Sequence, residues 1–196
     1  MSGQSAKFEF SPEFLERANA YIAKYPENRQ ASAVLPLLDL AQRQNGGWVS
    51  REAMAYIAGL LDMAEIRIYE VATFYTMVNL NPVGKYFIQL CRTTPCWLCG
   101  SEDLLKACTE ELGIGVGEST DDGMFTLVEV ECLGACVNAP MVQINDDFYE
   151  DLSAARIKEI IAMLRRGEQP PAGSQIGRQT SAPATGATTL LDGGTA

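Results

Sequence analysis

Five of the chain's six cysteines fall into two tight clusters, CRTTPCWLC at residues 91–99 and CLGAC at residues 132–136, and each follows directly on a β-type run, KYFIQLC and FTLVEVE. Any fold of this chain has to satisfy both placements. Between the two runs, Leu104, Leu105, Cys108 and Leu112 mark the apolar stripe of a helix, for which Ser101 is the expected cap, and a turn is expected at Asp121-Asp122-Gly123. MVQIN and FYED flank Asp146-Asp147 as a hairpin, and Ser153 caps a last helix that turns Ile157, Ile160, Ile161 and Leu164 inward. The order β-α-β-β-β-α predicts a sheet with helices packed on it and a right-handed crossover between its first two strands. Both clusters then lie in loops at strand ends.

Three chemistries fit the cysteine spacing. Cys96-Trp97-Leu98-Cys99 is a C-x-x-C just ahead of a helix, where the dipole and free N–H groups lower a thiol pKa, as a thiol-disulfide oxidoreductase requires. Cys91, Cys96 and Cys99 match C-x4-C-x2-C, the plant-type ferredoxin spacing, to be completed by a cysteine downstream. The third pairs Cys91 and Cys96 with Cys132 and Cys136, and it alone uses the second cluster in full. Four thiolates from two loops can enclose a compact dinuclear iron-sulfur core; Gly134 lets backbone approach it, and Thr93, Thr94, Ala135 and Ala139 leave room. Zinc on the same four thiolates stays open, although an x4 interval is at the wide edge of its usual spacing. Cys108 reads as a small core hydrophobe. Gly113-x-Gly115-x-Gly117 follows a helix, so it reads as a turn rather than a nucleotide loop.

The chain has no histidine, which removes Ser-His-Asp and Cys-His nucleophile systems, HExxH proteases and Rieske centres. A net charge of -10 opposes nucleic-acid binding. Residues 118–151 hold Glu118, Asp121, Asp122, Glu129, Glu131, Asp146, Asp147, Glu150 and Asp151 and not one Lys or Arg, which predicts an anionic field, with Glu129 and Glu131 approaching Cys132 along one strand face. The start, MSGQSAKFEF, has neither the basic nor the apolar region of a signal peptide, so reducing cytoplasm is the expected compartment for the cysteines. No apolar run reaches the roughly 20 residues a bilayer span needs, so direct membrane insertion is not expected.

Residues 1–80 read as four helices. Ser11-Pro12 opens the first, with Phe14, Ala18, Tyr21 and Ile22 on one stripe before Pro26. The second covers 31–44, with Pro36 bending it or beginning its regular part; the third starts at Ser50 and runs to about Leu61. EIRIYEVATFYTMV forms the fourth, with Ile68, Val71, Ala72 and Tyr75 together. Short helices of this kind bury their stripes by forming a bundle. Residues 167–196 contain 21 Gly, Pro, Ser, Thr or Ala and no aromatic, which predicts a disordered tail.

EVATFYTMVNLNPVGKYFIQLCRTTPCWLCGSEDLL, followed by ECLGACVNAPMVQINDDFYEDL, strongly resembles the thioredoxin-like 2Fe-2S subunits of the NADH dehydrogenase module of respiratory complex I, over about residues 10–164. The whole chain is expected to be α+β: an N-terminal helical bundle (1–80), whose amphipathic helices read as a docking element, a thioredoxin-like ferredoxin domain with a mixed sheet flanked by helices (81–166), which the resemblance implies, and the tail (167–196), which lies outside the resemblance. The resemblance implies that Cys91, Cys96, Cys132 and Cys136 are the ligands of one 2Fe-2S cluster, with Cys99 a bystander. It further implies a one-electron carrier of an NADH:quinone oxidoreductase, held at the inner face of the cell membrane through the complex, with no complete active site of its own. FMN and NADH would reside on a flavin-binding partner subunit, beside a large iron-sulfur subunit. Related subunits serve NAD-linked hydrogenases and formate dehydrogenases, and the rival from another class remains the oxidoreductase built on Cys96 and Cys99.

Overall fold

The computed structural model of the chain describes residues 7–186 and residue 189. The chain divides into two compact units, Met1–Val83 and Gly84–Ala196. In the first, α1 (Pro12–Ile22) starts as its sequence dictates: Ser11 Oγ accepts from the Phe14 N–H, and Pro12 takes the first position, where no N–H is needed. A 3-10 turn, Gln30–Ala33, leads into α2 (Val34–Gln44), so Pro36 lies in the first helical turn and interrupts no hydrogen bond. Ser50 Oγ accepts from the Ala53 N–H and opens α3 (Arg51–Leu61). The helical core is built on Leu37, Leu38, Leu40, Ile57 and Ile68, with Phe14, Tyr21 and Ile22 packed at its margin.

The fourth helix is shorter than its pattern. α4 (Glu65–Phe74) buries Ile68 and Ala72 but stops before Tyr75, which is exposed rather than part of the inward stripe. Its turn after Phe74 instead buries Val78, and Phe74 and Met77 project into solvent at 76% and 60% exposure.

In the second unit β1 (Tyr86–Cys91) and β3 (Phe125–Val130) are parallel neighbours, joined by α5 (Thr94–Leu98), α6 (Ser101–Leu112) and a two-residue strand β2 (Glu118–Ser119). β4 (Val142–Ile144) runs antiparallel to β1, and β5 (Asp147–Glu150) antiparallel to β4. α7 (Ala154–Arg165) follows, and β6 (Gly173–Ser174) pairs parallel with β5, closing a mixed sheet in the order β2-β3-β1-β4-β5-β6. Ile157, Ile160, Ile161 and Leu164 of α7 join Leu104, Cys108 and Leu112 of α6 over Ile88, Leu90, Phe125 and Leu127. Each large side chain removed from water there contributes about 1.5–3 kcal/mol.

Two expectations need correction. Gly100, not Ser101, is the N-cap of α6; Ser101 is its first helical residue, fully buried, and its Oγ has no protein partner. Residues 167–186, expected as part of the tail, carry secondary structure and polar ties: β6 adds to the sheet, and Arg178 reaches back to Asp151 at 2.7 Å. Low apolar content gave no sign of this because the anchoring is polar. Residues 187, 188 and 190–196 lie outside the described residues.

Gly84 sits so close to β3 that a Cβ would meet the Phe125 backbone at 2.6–2.9 Å, whereas one at Gly59 on exposed α3 surface would meet nothing within 4 Å. Gly84→Ala is therefore expected to lower stability by about 1–3 kcal/mol. Gly59→Ala should raise it by about 0.5–1 kcal/mol through helix propensity. Urea denaturation checks both; a Gly84→Ala protein as stable as the parent would contradict the close approach.

Candidate metal centre

Parallel pairing carries the two cysteine loops to one end of the sheet. Cys91 is the last residue of β1 and lies opposite Val130, the last of β3, with Cys132 two residues further on. α5 then returns Cys96 beneath Cys91, with Pro95 near its start. On the other loop Gly134 adopts φ +85°, a left-handed turn that directs its N–H to Cys132 Sγ at 3.4 Å. The same turn brings Cys136, first residue of a 3-10 turn (Cys136–Asn138), to 3.3 Å from Cys132, sulfur to sulfur.

The four thiols form a graded site. Cys91 and Cys96 are 1% exposed and pack with Met141, Leu133, Ala135, Ala139 and Phe148, while Cys132 and Cys136 are open to solvent. Burial raises the Cys91 thiol pKa, but Thr93, through its hydroxyl at 3.4 Å and its amide, together with Cys96 and the Leu133 amide, outweighs burial and leaves it below its ordinary value. Burial, then the hydrogen bond with Cys91, pushes Cys96 up to about 12, although the Met141 amide donates to it. Cys132 is lowered, first by the Gly134 amide, and Cys136 raised by its bond to Cys132. Negative charge on Cys91 is felt at Cys96, Cys132 and Cys136, so the quartet titrates as one assembly.

A donor set of four sulfurs with amides from Leu133, Gly134 and Met141 directed at them suits an anionic iron-sulfur core. Among the described residues no three His, Cys, Asp or Glu side chains close on a single ion position.

Cys99 is exposed at the C-terminal cap of α5 and stands outside this packing. Cys108 lies in the core with burial pushing its thiol to about 12. Trp97 is 52% exposed and is not part of the core.

The acidic stretch is not an uncompensated field. Arg92, just after Cys91, binds Glu129 at 2.7 Å and Glu102 at 3.2 Å; Arg178 binds Asp151; Glu150 accepts from Asn138 and Asp147 from Gln169. These cations lie outside residues 118–151 in sequence, which hid them from a window count. β3 ends at Val130, so Glu131 is beyond the strand and does not extend the face carrying Glu129. Donation to the sulfurs by loop amides was expected, but which ones, those of Leu133 and Met141, escaped sequence reading, because a backbone donor leaves no residue-type signal.

The sequence profile of thioredoxin-like 2Fe-2S ferredoxins matches residues 18–165. The chain belongs to the thioredoxin-like 2Fe-2S ferredoxin family. This ferredoxin is 57% identical over 165 residues to an NADH-quinone oxidoreductase subunit of Rickettsia bellii, covering 84% of this chain and 99% of that protein. It is 49% identical over 191 residues to the mitochondrial NADH dehydrogenase [ubiquinone] flavoprotein 2 of Dictyostelium discoideum, covering 97% of this chain and 77% of that one. Among solved structures, an air-oxidised NAD+-reducing NiFe-hydrogenase shares the fold at a TM-score of 0.60 and 22% identity, over 68% of this ferredoxin and 23% of the hydrogenase chain.

At pH 8 a thiol with a pKa near 12 is ionised to only about one part in ten thousand. Brief alkylation of the native ferredoxin at that pH should therefore label exposed Cys99 and spare Cys108, with both labelled after unfolding. Peptide mass analysis checks this; native labelling of Cys108 would contradict its burial.

Proposed function

We propose that this ferredoxin is a one-electron carrier in the NADH-oxidising module of an NADH:quinone oxidoreductase, with Cys91, Cys96, Cys132 and Cys136 holding its 2Fe-2S cluster. The observation that carries the reading is the convergence of two buried and two exposed thiols at the shared end of β1 and β3, in a chain of this family. Such a cluster supplies reversible one-electron chemistry at nearly fixed geometry. The chain's residues provide everything else. Cys91 and Cys96 anchor from the dry side, against Met141 and Phe148, and Cys132 and Cys136 close the outer side. Amide N–H groups of Leu133, Gly134 and Met141 favour the deprotonated sulfurs, and Arg92 offsets the carboxylate of Glu129 beside Cys91.

The electron donor we assign is reduced FMN on an NADH-binding partner subunit, with a large iron-sulfur subunit alongside. The names of the relatives at 57% and 49% identity favour an NADH dehydrogenase as the parent complex, while the likeness to the hydrogenase is one of fold. Ile66, Tyr69, Phe74 and Met77 leave an exposed apolar surface on and after α4, which supports docking through the helical unit. No described helix is long and apolar enough to cross a membrane, and association with one would run through the complex. The thiol-disulfide alternative is disfavoured because Cys96, its attacking thiol, is 1% exposed and closed to a disulfide substrate.

Serine replacement of Cys91, Cys96, Cys132 or Cys136 should each abolish the stable paramagnetic signal of the reduced protein, and Cys99→Ser and Cys108→Ala should keep it. Electron paramagnetic resonance on the six variants decides. Loss in Cys99→Ser with retention in Cys132→Ser would replace this ligand set by the plant-type spacing.

A further inference from the structure

The segment after α7 lies beyond residues 18–165, yet it is bonded to the turn that begins at Cys136. β6 pairs Gly173 with Tyr149 and Ser174 with Glu150, and Gln175 N–H continues to the Glu150 carbonyl at 2.9 Å. From this start the chain folds over the end of β5. Arg178 Nε and Nη2 both bind the Asp151 carboxylate, at 3.1 and 2.7 Å, and Ser174 Oγ donates to it at 2.6 Å. The pair is shielded, with the two side chains 11% and 5% exposed. Arg178 Nη1 then donates to the Val137 carbonyl at 3.3 Å and the Ala182 carbonyl at 3.2 Å.

A second tie meets the next residue of the same turn. Asn138, 3% exposed, sends Nδ2 to Glu150 Oε2 at 2.7 Å and to the Thr180 carbonyl at 2.8 Å. Thr180 takes φ +48°, a left-handed conformation costly for a β-branched residue, in presenting that carbonyl. Asp151 N–H also bonds the Asn138 carbonyl at 2.8 Å. The Cys136–Asn138 turn is thus gripped between the end of β5 and residues 173–182.

We propose that residues 173–182 form a strap, centred on Arg178, that positions the Cys136 turn and so governs how firmly the outer side of the metal centre is closed. Cys132 and Cys136 are the solvent-facing pair, so the outer loop is where a cluster would be lost, and the strap is its support from outside the sheet. Arginine suits the place because one rigid guanidinium serves a bidentate carboxylate and two carbonyls at once; a lysine ammonium can keep the charge pair but not this fork. Arg178 and Asn138 act through Cys136 and are positioning residues. The inference rests on Cys136 being a cluster ligand.

The test compares the holo full-length chain with its Arg178→Met and Arg178→Lys variants. Amide hydrogen exchange over residues 136–139 and loss of visible absorbance to an iron chelator are followed, with the reduced paramagnetic spectrum recorded. Arg178→Met should exchange faster in that turn, release iron roughly tenfold faster, the equivalent of about 1.4 kcal/mol, and show shifted g-values; Arg178→Lys should fall between it and the parent. Unchanged exchange at 136–139 in Arg178→Met overturns the strap. Faster exchange or a lower melting temperature with unchanged iron release and spectrum overturns its role at the centre. Failure of the ligand assignment is separable, since Cys136→Ser would then keep a native spectrum.

Discussion

The parallel, in-register pairing of β1 with β3 is the interaction on which the rest depends. Parallel neighbours end on the same side of a sheet, and register sets Cys91 opposite Val130. One crossover through α5 and α6 thereby turns two clusters some forty residues apart into one site. A one-residue slip would reverse the faces of the whole strand, sending Ile88 and Leu90 out of the core. The apolar packing of α6 and α7 on that sheet therefore protects sulfur geometry as well as stability.

Polar structure at the site works over shorter distances. Backbone amides of Leu133, Gly134 and Met141 all come from the one connection between β3 and β4, which therefore serves Cys91, Cys132 and Cys96 together. Arg92 lies between Glu129 and Glu102, tying the end of β3 to α6 directly beside Cys91. Glu129 is thus paired beside Cys91, and the dense acidity of residues 118–151 is tempered at Glu129 and Asp151 by cations contributed from elsewhere in the chain.

Much of this was readable from residues alone where local chemistry decides. The Ser11, Ser50 and Ser153 caps and the stripes of α1, α6 and α7 follow from spacing and capping chemistry, and all appear; the β4–β5 hairpin appears too, with its turn one residue earlier than expected, at Asn145-Asp146, and Asp147 already in β5. The two cysteine clusters were visible at once, and their convergence followed from a sheet with both at strand ends. What was illegible depends on distant partners: Gly100 displacing Ser101 as a cap, Glu129 neutralised by Arg92, and a Gly- and Pro-rich tail fixed by Arg178. Composition warned of disorder there because it counts apolar area, and one shielded ion pair with its carbonyl bonds does not register in such a count. α4 stopped short of its periodic pattern for a related reason, since Val78 is buried by a turn and not by a longer helix.

The central claim is that the four converging thiols hold a dinuclear iron-sulfur core and not a single metal ion. Quantifying iron, zinc and acid-labile sulfide in the purified full-length chain tests it most directly. The account predicts iron and sulfide in equal amounts, two of each per chain as the family's 2Fe-2S core requires. One zinc per chain, or iron without sulfide, would contradict it.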